Sequence, residues 1–197
     1  MTRTSLLLVA ATLAACSSSS SSPSGASGDG GASSSGSGGD ANGPRVTLAA
    51  SVLPGTHGTD CKQTTDLDVG TFDPSAPVAH QQMWNGGTAL VVCRVAPAGS
   101  GFTVASSVTV GGSGNGSFEL AGNFDSTGAT QAGLHIVFGA GGSYAGMTCT
   151  AKYTQPTEGV AAGRIWTDFD CPAVTDNGQG STCEMHGQVR FENCLQQ

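Results

Sequence analysis

Between residues 102 and 153, apolar and polar side chains alternate along the chain. Phe102, Val104, Ser106, Val108 and Val110 fall on one side of their segment, with Thr103, Ser107 and Thr109 on the other. Phe118, Leu120 and Phe124 oppose Glu119 and Asn123, and Leu134, Ile136 and Phe138 share a face that His135 does not. Met147, Cys149, Ala151 and Tyr153 oppose Thr148, Thr150 and Lys152. Successive side chains of an extended chain point to opposite sides, so a period of two marks strands with one buried face. Turn residues separate these runs: Gly111 to Gly116, Asp125-Ser126-Thr127-Gly128, and Gln155-Pro156-Thr157-Glu158-Gly159. No long amphipathic helix is visible. Many short strands with Gly-rich turns predict an all-β domain, an antiparallel β-sandwich or jelly roll.

The last two long runs, Gly159 to Cys171 and Cys183 to Cys194, read as strands joined by residues 172–182. A hairpin centred near Asn177 sets Cys171 opposite Cys183 and predicts a bond between them. The domain's other cysteines are Cys61, Cys93, Cys149 and Cys194. An even number in an exported domain reads as up to three disulfides. Cys61 is then paired with Cys93, and Cys149 with Cys194 by elimination. Zinc is the competing reading, but it prefers closely spaced Cys or His pairs and the sequence has no Cys-x-x-Cys.

The amino-terminal stretch MTRTSLLLVAATLAAC breaks the pattern. Arg3 supplies a positive end and Ser5 to Ala15 an apolar body. Those eleven residues are too few to cross a bilayer, which takes roughly 20 in a helix. A charged start, a short apolar body and small residues at its exit describe a cleavable export signal. Leu13-Ala14-Ala15-Cys16 resembles the lipobox of bacterial lipoproteins. By that resemblance residues 1–15 are the signal peptide. Cys16 becomes the first residue of the mature chain, carrying a diacylglyceryl thioether and an amide-linked acyl chain. Two or more chains, each worth about 0.8 kcal/mol per buried CH₂, make a stable membrane anchor. Ser17 is similar to the residue that permits onward transfer to the outer membrane in a double-membraned cell, where aspartate signals retention at the inner one.

From Ser17 to Pro44, twenty of twenty-eight residues are Ser or Gly, with no large apolar side chain. Such a composition cannot offset chain entropy and predicts a disordered tether, residues 16–44 with the lipidated cysteine, whose ends lie about 30 Å apart. A β-rich globular domain, residues 45–197, follows at Arg45-Val46-Thr47-Leu48. A chain of that size buries about 70% of its unfolded surface. Its twelve acidic and six basic residues are spread out and argue against nucleic acid or anionic headgroups as partners. The general build is similar to the Ser/Gly-tethered lipoproteins common in myxobacteria, a resemblance that implies no activity.

Candidate chemistry is sparse. His57 stands three residues from Asp60 in a loop, the one pair with acid–base or metal-binding character. His80 sits in a loop and reads as solvated; His135 and His186 point away from the apolar sides of their strands. No Gly-x-Ser-x-Gly, Gly-x-x-x-x-Gly-Lys or His-Glu-x-x-His occurs, and no cofactor is implied. Asp66-x-Asp68, Asp168-x-Asp170 and Asp176-Asn177-Gly178 offer oxygens without the loop pattern of an EF-hand, so solvated acids are the reading and calcium its alternative. Trp84, in a polar Gly-ended stretch, and Trp166, beside Arg164 and Asp168, are the ligand-binding candidates, for a carbohydrate or a protein; packing under a loop or against a second sheet competes. The function expected is a membrane-anchored exported lipoprotein with a non-catalytic binding or envelope-structural β-domain; the alternative is an exported hydrolase using His57 and Asp60.

Overall fold

The alternation becomes a single strongly curved antiparallel sheet. A computed structural model describes residues 42–54, 61, 64–112, 116–128, 134–146 and 148–197. The strands are Arg45–Leu53 (β1), Thr65–Val69 (β2), Val78–Ala79 (β3), Met83–Trp84 (β4), Gly87–Ala98 (β5), Gly101–Val110 (β6), Gly116–Phe124 (β7), His135–Gly139 (β8), Tyr144–Gly146 (β9), Thr150–Lys152 (β10), Gly159–Ala161 (β11), Arg164–Asp176 (β12) and Thr182–Glu192 (β13). Among the described residues there is no α-helix. The order across the sheet is β2-β1-β13-β12-β9-β8-β7-β6-β5-β4, with β10 and β11 on β12 and β3 on β1. The result is a nearly closed barrel-like sandwich of the all-β class that the pattern predicts.

The inward faces meet in one core. Phe118, Phe124, Phe138, Tyr144, Ile165, Met185 and Phe191 are fully buried. Phe118 of β7 lies 5.2 Å, centroid to centroid, from Phe169 of β12, so the two walls touch across the interior. Phe169 faces Gly187 on β13, where an added Cβ would sit 2.8 Å from its ring and 2.2 Å from the Ala49 carbonyl. The glycine therefore makes room for both the ring and the neighbouring strand.

Closure runs along the second edge of β5, which three unlike pieces occupy, with Gly163 N also donating to Val95 O at 3.0 Å. Residues 81–84 fold back on it through the Asn85-Gly86 turn, whose φ angles of 47° and 79° are those of a two-residue hairpin. Gln81 N donates to Ala89 O at 2.7 Å and Ala89 N to Gln82 O at 2.9 Å. Next, Nδ1 of His80 lies 3.1 Å from Val91 N and 2.9 Å from Val91 O, so an imidazole fills a gap in a backbone ladder. Finally, Leu195 N donates to Cys93 O at 3.0 Å and Val95 N to Leu195 O at 2.9 Å. His80 N also donates to Pro44 O at 2.9 Å, tying this seam to the start of β1. His80 is thus half-buried and bonded, not the solvated loop residue its neighbours in sequence imply.

The three disulfides join Cys61 to Cys183, Cys93 to Cys194 and Cys149 to Cys171. All three pairings differ from those expected. The expected Cys171–Cys183 bond fails because the hairpin turns later than Asn177: Thr175 faces Thr182 and Val174 faces Cys183, so Cys171 lies beyond Cys183's partner and faces Met185, across a bulge in which Pro172 and Ala173 oppose Glu184 alone. Proline has no N–H to give the ladder, and a bulge is where a strand tolerates it. β12 runs on to Asp176, which leaves residues 177–181 as the connection. There Asp176 Oδ1 accepts Gly178 N at 2.8 Å, and Asp176 N donates to Ser181 O at 2.9 Å. Cys61 bonds to Cys183 of β13, whereas Cys93 lies on β5, where the seam brings Cys194 to it. With its first two assignments displaced, the pairing of Cys149 with Cys194 by elimination falls as well.

Digestion without reductant should give peptides joining Cys61 to Cys183, Cys93 to Cys194 and Cys149 to Cys171; a peptide joining Cys171 to Cys183 would refute the β12–β13 register. The loops closed span 101 residues for Cys93–Cys194 and 22 for Cys149–Cys171. Replacing the first pair by serines should therefore cost about 4–5 kcal/mol in denaturant titrations and the second about 3 kcal/mol, from chain entropy.

Candidate functional site

The outward residues of β12 and β13 build the most organised polar surface among the described residues. Along β12, Ile165, Thr167, Phe169 and Cys171 turn inward and are buried, which leaves Arg164, Trp166, Asp168 and Asp170 outside. The register sets Trp166 opposite Arg190, Asp168 opposite Gln188 and Asp170 opposite His186. On the other flank, Lys152 and Thr150 of β10 face Asp168 and Asp170.

At the centre, one amide joins two carboxylates. Gln188 Nε2 donates to Glu158 Oε1 at 2.8 Å and to Asp168 Oδ1 at 2.9 Å. The Thr154 hydroxyl donates to Asp168 Oδ2, and the Thr154 and Gln155 amides donate to Glu158 Oε2. Glu158 thereby clamps the turn between β10 and β11 over the sheet. A carboxylate has about four acceptor positions, so lone pairs on both acids remain for a ligand's hydroxyls. Beside them Thr150, Lys152, Thr154, Asp168, Phe169 and Asp170 line a pocket of about 70 Å³, room for one small group.

The other end of this face is aromatic. The Arg190 guanidinium carbon lies 5.0 Å from the centre of the Trp166 ring, and Phe72 stacks on that ring at 6.1 Å with 23° between planes. Arg190 also pairs with Glu192 and donates to the Ser75 hydroxyl at 3.2 Å. Phe72 and Ser75 come from the β2–β3 connection, itself a small hairpin held by Thr71 N to Ala76 O at 3.1 Å and Ala76 N to Thr71 O at 2.9 Å. Trp166 is thus partly covered by a loop, and its Nε1 is buried without a partner in the protein, as is Thr47 Oγ1, which sits across Arg190 on β1.

The other residues singled out from the sequence are scattered. Trp84 packs its ring partly into the core and donates Nε1 to the Asp68 carbonyl at 2.8 Å, linking β4 and β2, the two ends of the sheet order. Asp66 and Asp68 stand exposed on β2. Asp176 is buried and caps its own turn, while Asn177 N donates to Ser143 O at 2.8 Å, so that loop's oxygens serve the hairpin. His186 is exposed and His135 half-buried. Among the described residues, no three His, Cys, Asp or Glu side chains are arranged to hold a metal. Cys16, His57 and Asp60 lie outside the described residues.

Sequence reasoning named Asp168 and Trp166 but missed Gln188, Glu158, Thr154, Arg190 and Phe72. Outward alternation on β12 and β13 was visible; which outward residues meet depends on the bulge, which the Pro172 signal could have placed. Comparison with protein-family models, with curated proteins and with solved structures finds no match to this chain.

Tyr153 fixes the turn that carries Thr154, its hydroxyl donating to the Asp125 carbonyl at 3.0 Å. Burial first, then the Asp125 charge, pushes the phenol up to about 12. Its folded value exceeds its unfolded one, near 10. Its contribution is therefore complete below pH 10 and lost as pH rises towards 12. Stability measured by denaturant should decline over that window, and the decline should shrink in Tyr153→Phe.

Proposed function

We propose that the chain is an exported lipoprotein, anchored by acyl chains on Cys16, whose β-domain is a non-catalytic binding module of the cell envelope. The lipobox resemblance supplies the anchor, and the Ser/Gly-rich residues that follow serve as the tether. What supports export from the structure is the set of three disulfides, since such bonds form and persist in oxidising compartments outside the cytoplasm. Binding is favoured by the Asp168–Gln188–Glu158 arrangement, which holds the Asp168 carboxylate on a strand and the Glu158 carboxylate on the β10–β11 turn beside aromatic rings. That combination suits a saccharide: rings take its C–H faces and carboxylates its hydroxyls. The outer membrane is the location this reading assigns, from Ser17.

Two measurements test it. Replacing Cys16 by Ser should move the protein from the membrane to the soluble fraction and remove the acyl mass; unchanged fractionation and mass would defeat the anchor. On a glycan array the mature protein should bind a defined set of saccharides, and Asp168→Ala should weaken the best of them about tenfold, the worth of a charge-assisted hydrogen bond. Equal binding by the variant would move the ligand elsewhere.

A further inference from the structure

Four large apolar side chains stand exposed among the described residues: Met83 at 52%, Leu90 at 48%, Val92 at 60% and Leu195 at 68%. They are not scattered. Leu90 and Val92 are outward residues of β5. Met83 faces Thr88 on the same strand, with the Thr88 hydroxyl 3.5 Å from its sulfur. Leu195 bridges to Arg94. Thr88, Leu90, Val92 and Arg94 share the outward side of β5, so all four apolar groups form one ridge. From Thr88 to Arg94 it runs about 20 Å, at about 3.3 Å per residue. Its flank is small: Leu90 faces Thr109, Val92 faces Ser107 and Arg94 faces Ala105 on β6. A contiguous exposed apolar stripe on a monomer marks a contact surface.

We infer that this ridge rests on the bilayer to which the chain's own amino terminus is anchored, with Met83, Leu90, Val92 and Leu195 dipping into the lipid interface. The inference builds on the lipoprotein reading above. What selects lipid is where the anchored segment joins the domain. Pro44 O accepts from His80 N, and the imidazole of His80 sits on Val91, between Leu90 and Val92. Gly43 O accepts from Asn193 at 3.3 Å, two residues before Leu195. Gly43 and Pro44, at the start of the described residues, therefore lie beside the ridge, and the membrane holding Cys16 is the surface to which that end of the domain is tied. Covalent attachment of the chain to the bilayer gives an effective concentration of roughly millimolar, so even a weak surface contact stays occupied. Arg94 and Arg164 stand exposed near the Leu195 end, Arg164 next to Gly163, whose N–H donates to Val95 O at 3.0 Å. Long cationic side chains there can keep their stems in the interface and reach phosphate oxygens. A single ridge is narrow for a stable dimer, which needs about 800 Å² from each partner.

The test is hydroxyl-radical footprinting of two forms on phosphatidylcholine vesicles. One is the native protein purified from membranes, with the mass at Cys16 read in the same digest. The other is the chain from residue 16 with Cys16→Ser and an amino-terminal hexahistidine tag, held by nickel-chelating lipid. Oxidation of Met83, Leu90 and Val92 should fall at least threefold on vesicles relative to solution, while His186 on β13 stays unchanged. Leu90→Ser/Val92→Ser should restore Met83 oxidation in the tagged form. Full oxidation of the ridge on vesicles overturns the inference whether or not Cys16 is acylated. An unmodified Cys16 sinks the anchor alone, because the nickel-held form still reports on the ridge. Protection without vesicles that grows with protein concentration assigns the ridge to a second copy, and also overturns it.

Discussion

Every strand edge left open in a sheet exposes amides and carbonyls that need partners, and the fold is organised by how β5 meets that need. One of its edges is taken by β6 over the full length. The other is closed by a hairpin, an imidazole and a stretch of the last described residues in succession. None of these is a long strand, and each covers three residues of β5 or fewer. Together they bend an open ribbon of strands back on itself, so that Phe118 and Phe169 meet in the interior. The Cys93–Cys194 bond lies inside the same seam and holds its weakest piece in place.

The polar face follows from that closure by subtraction. Once the inward residues of β12 and β13 are committed to the core, their partners in alternation are forced out and brought into register with each other. Asp168, Gln188, Trp166 and Arg190 are neighbours because of pairing, while Glu158, Thr154 and Phe72 are carried in by turns. Glu158 and Asp168 could repel each other, yet the shared amide of Gln188 and the surrounding hydroxyl and amide donors hold both as acceptors. Such a face is rigid without being buried, which is what a recognition surface on strands requires.

How much of this the sequence carried depended on range. The buried faces of β6, β7 and β8 were legible residue by residue, since alternation is a local property. Asn85-Gly86 carries a strong two-residue hairpin signal in the sequence itself. The disulfide pairing was not legible: it turns on β12 running on to Asp176 before the chain reverses, and on the approach of Cys194 to a strand about a hundred residues earlier. His80 shows the same limit, because nothing near it in sequence announces that its ring will substitute for backbone. Of the candidate site, Asp168 and Trp166 were visible as outward residues, and their companions were hidden by register.

The seam also orders events in time. β1 pairs with β13, and β5 receives Leu195, so the earliest and latest described segments are zipped to each other. A polypeptide emerging amino-terminus first can form the β5–β6–β7 meander early, but its closing groove waits for residues 183–195 to arrive. Until then the ribbon lacks its closing edge, and the Cys93–Cys194 bond, joining residues 101 apart, can latch it only once residue 194 is in place.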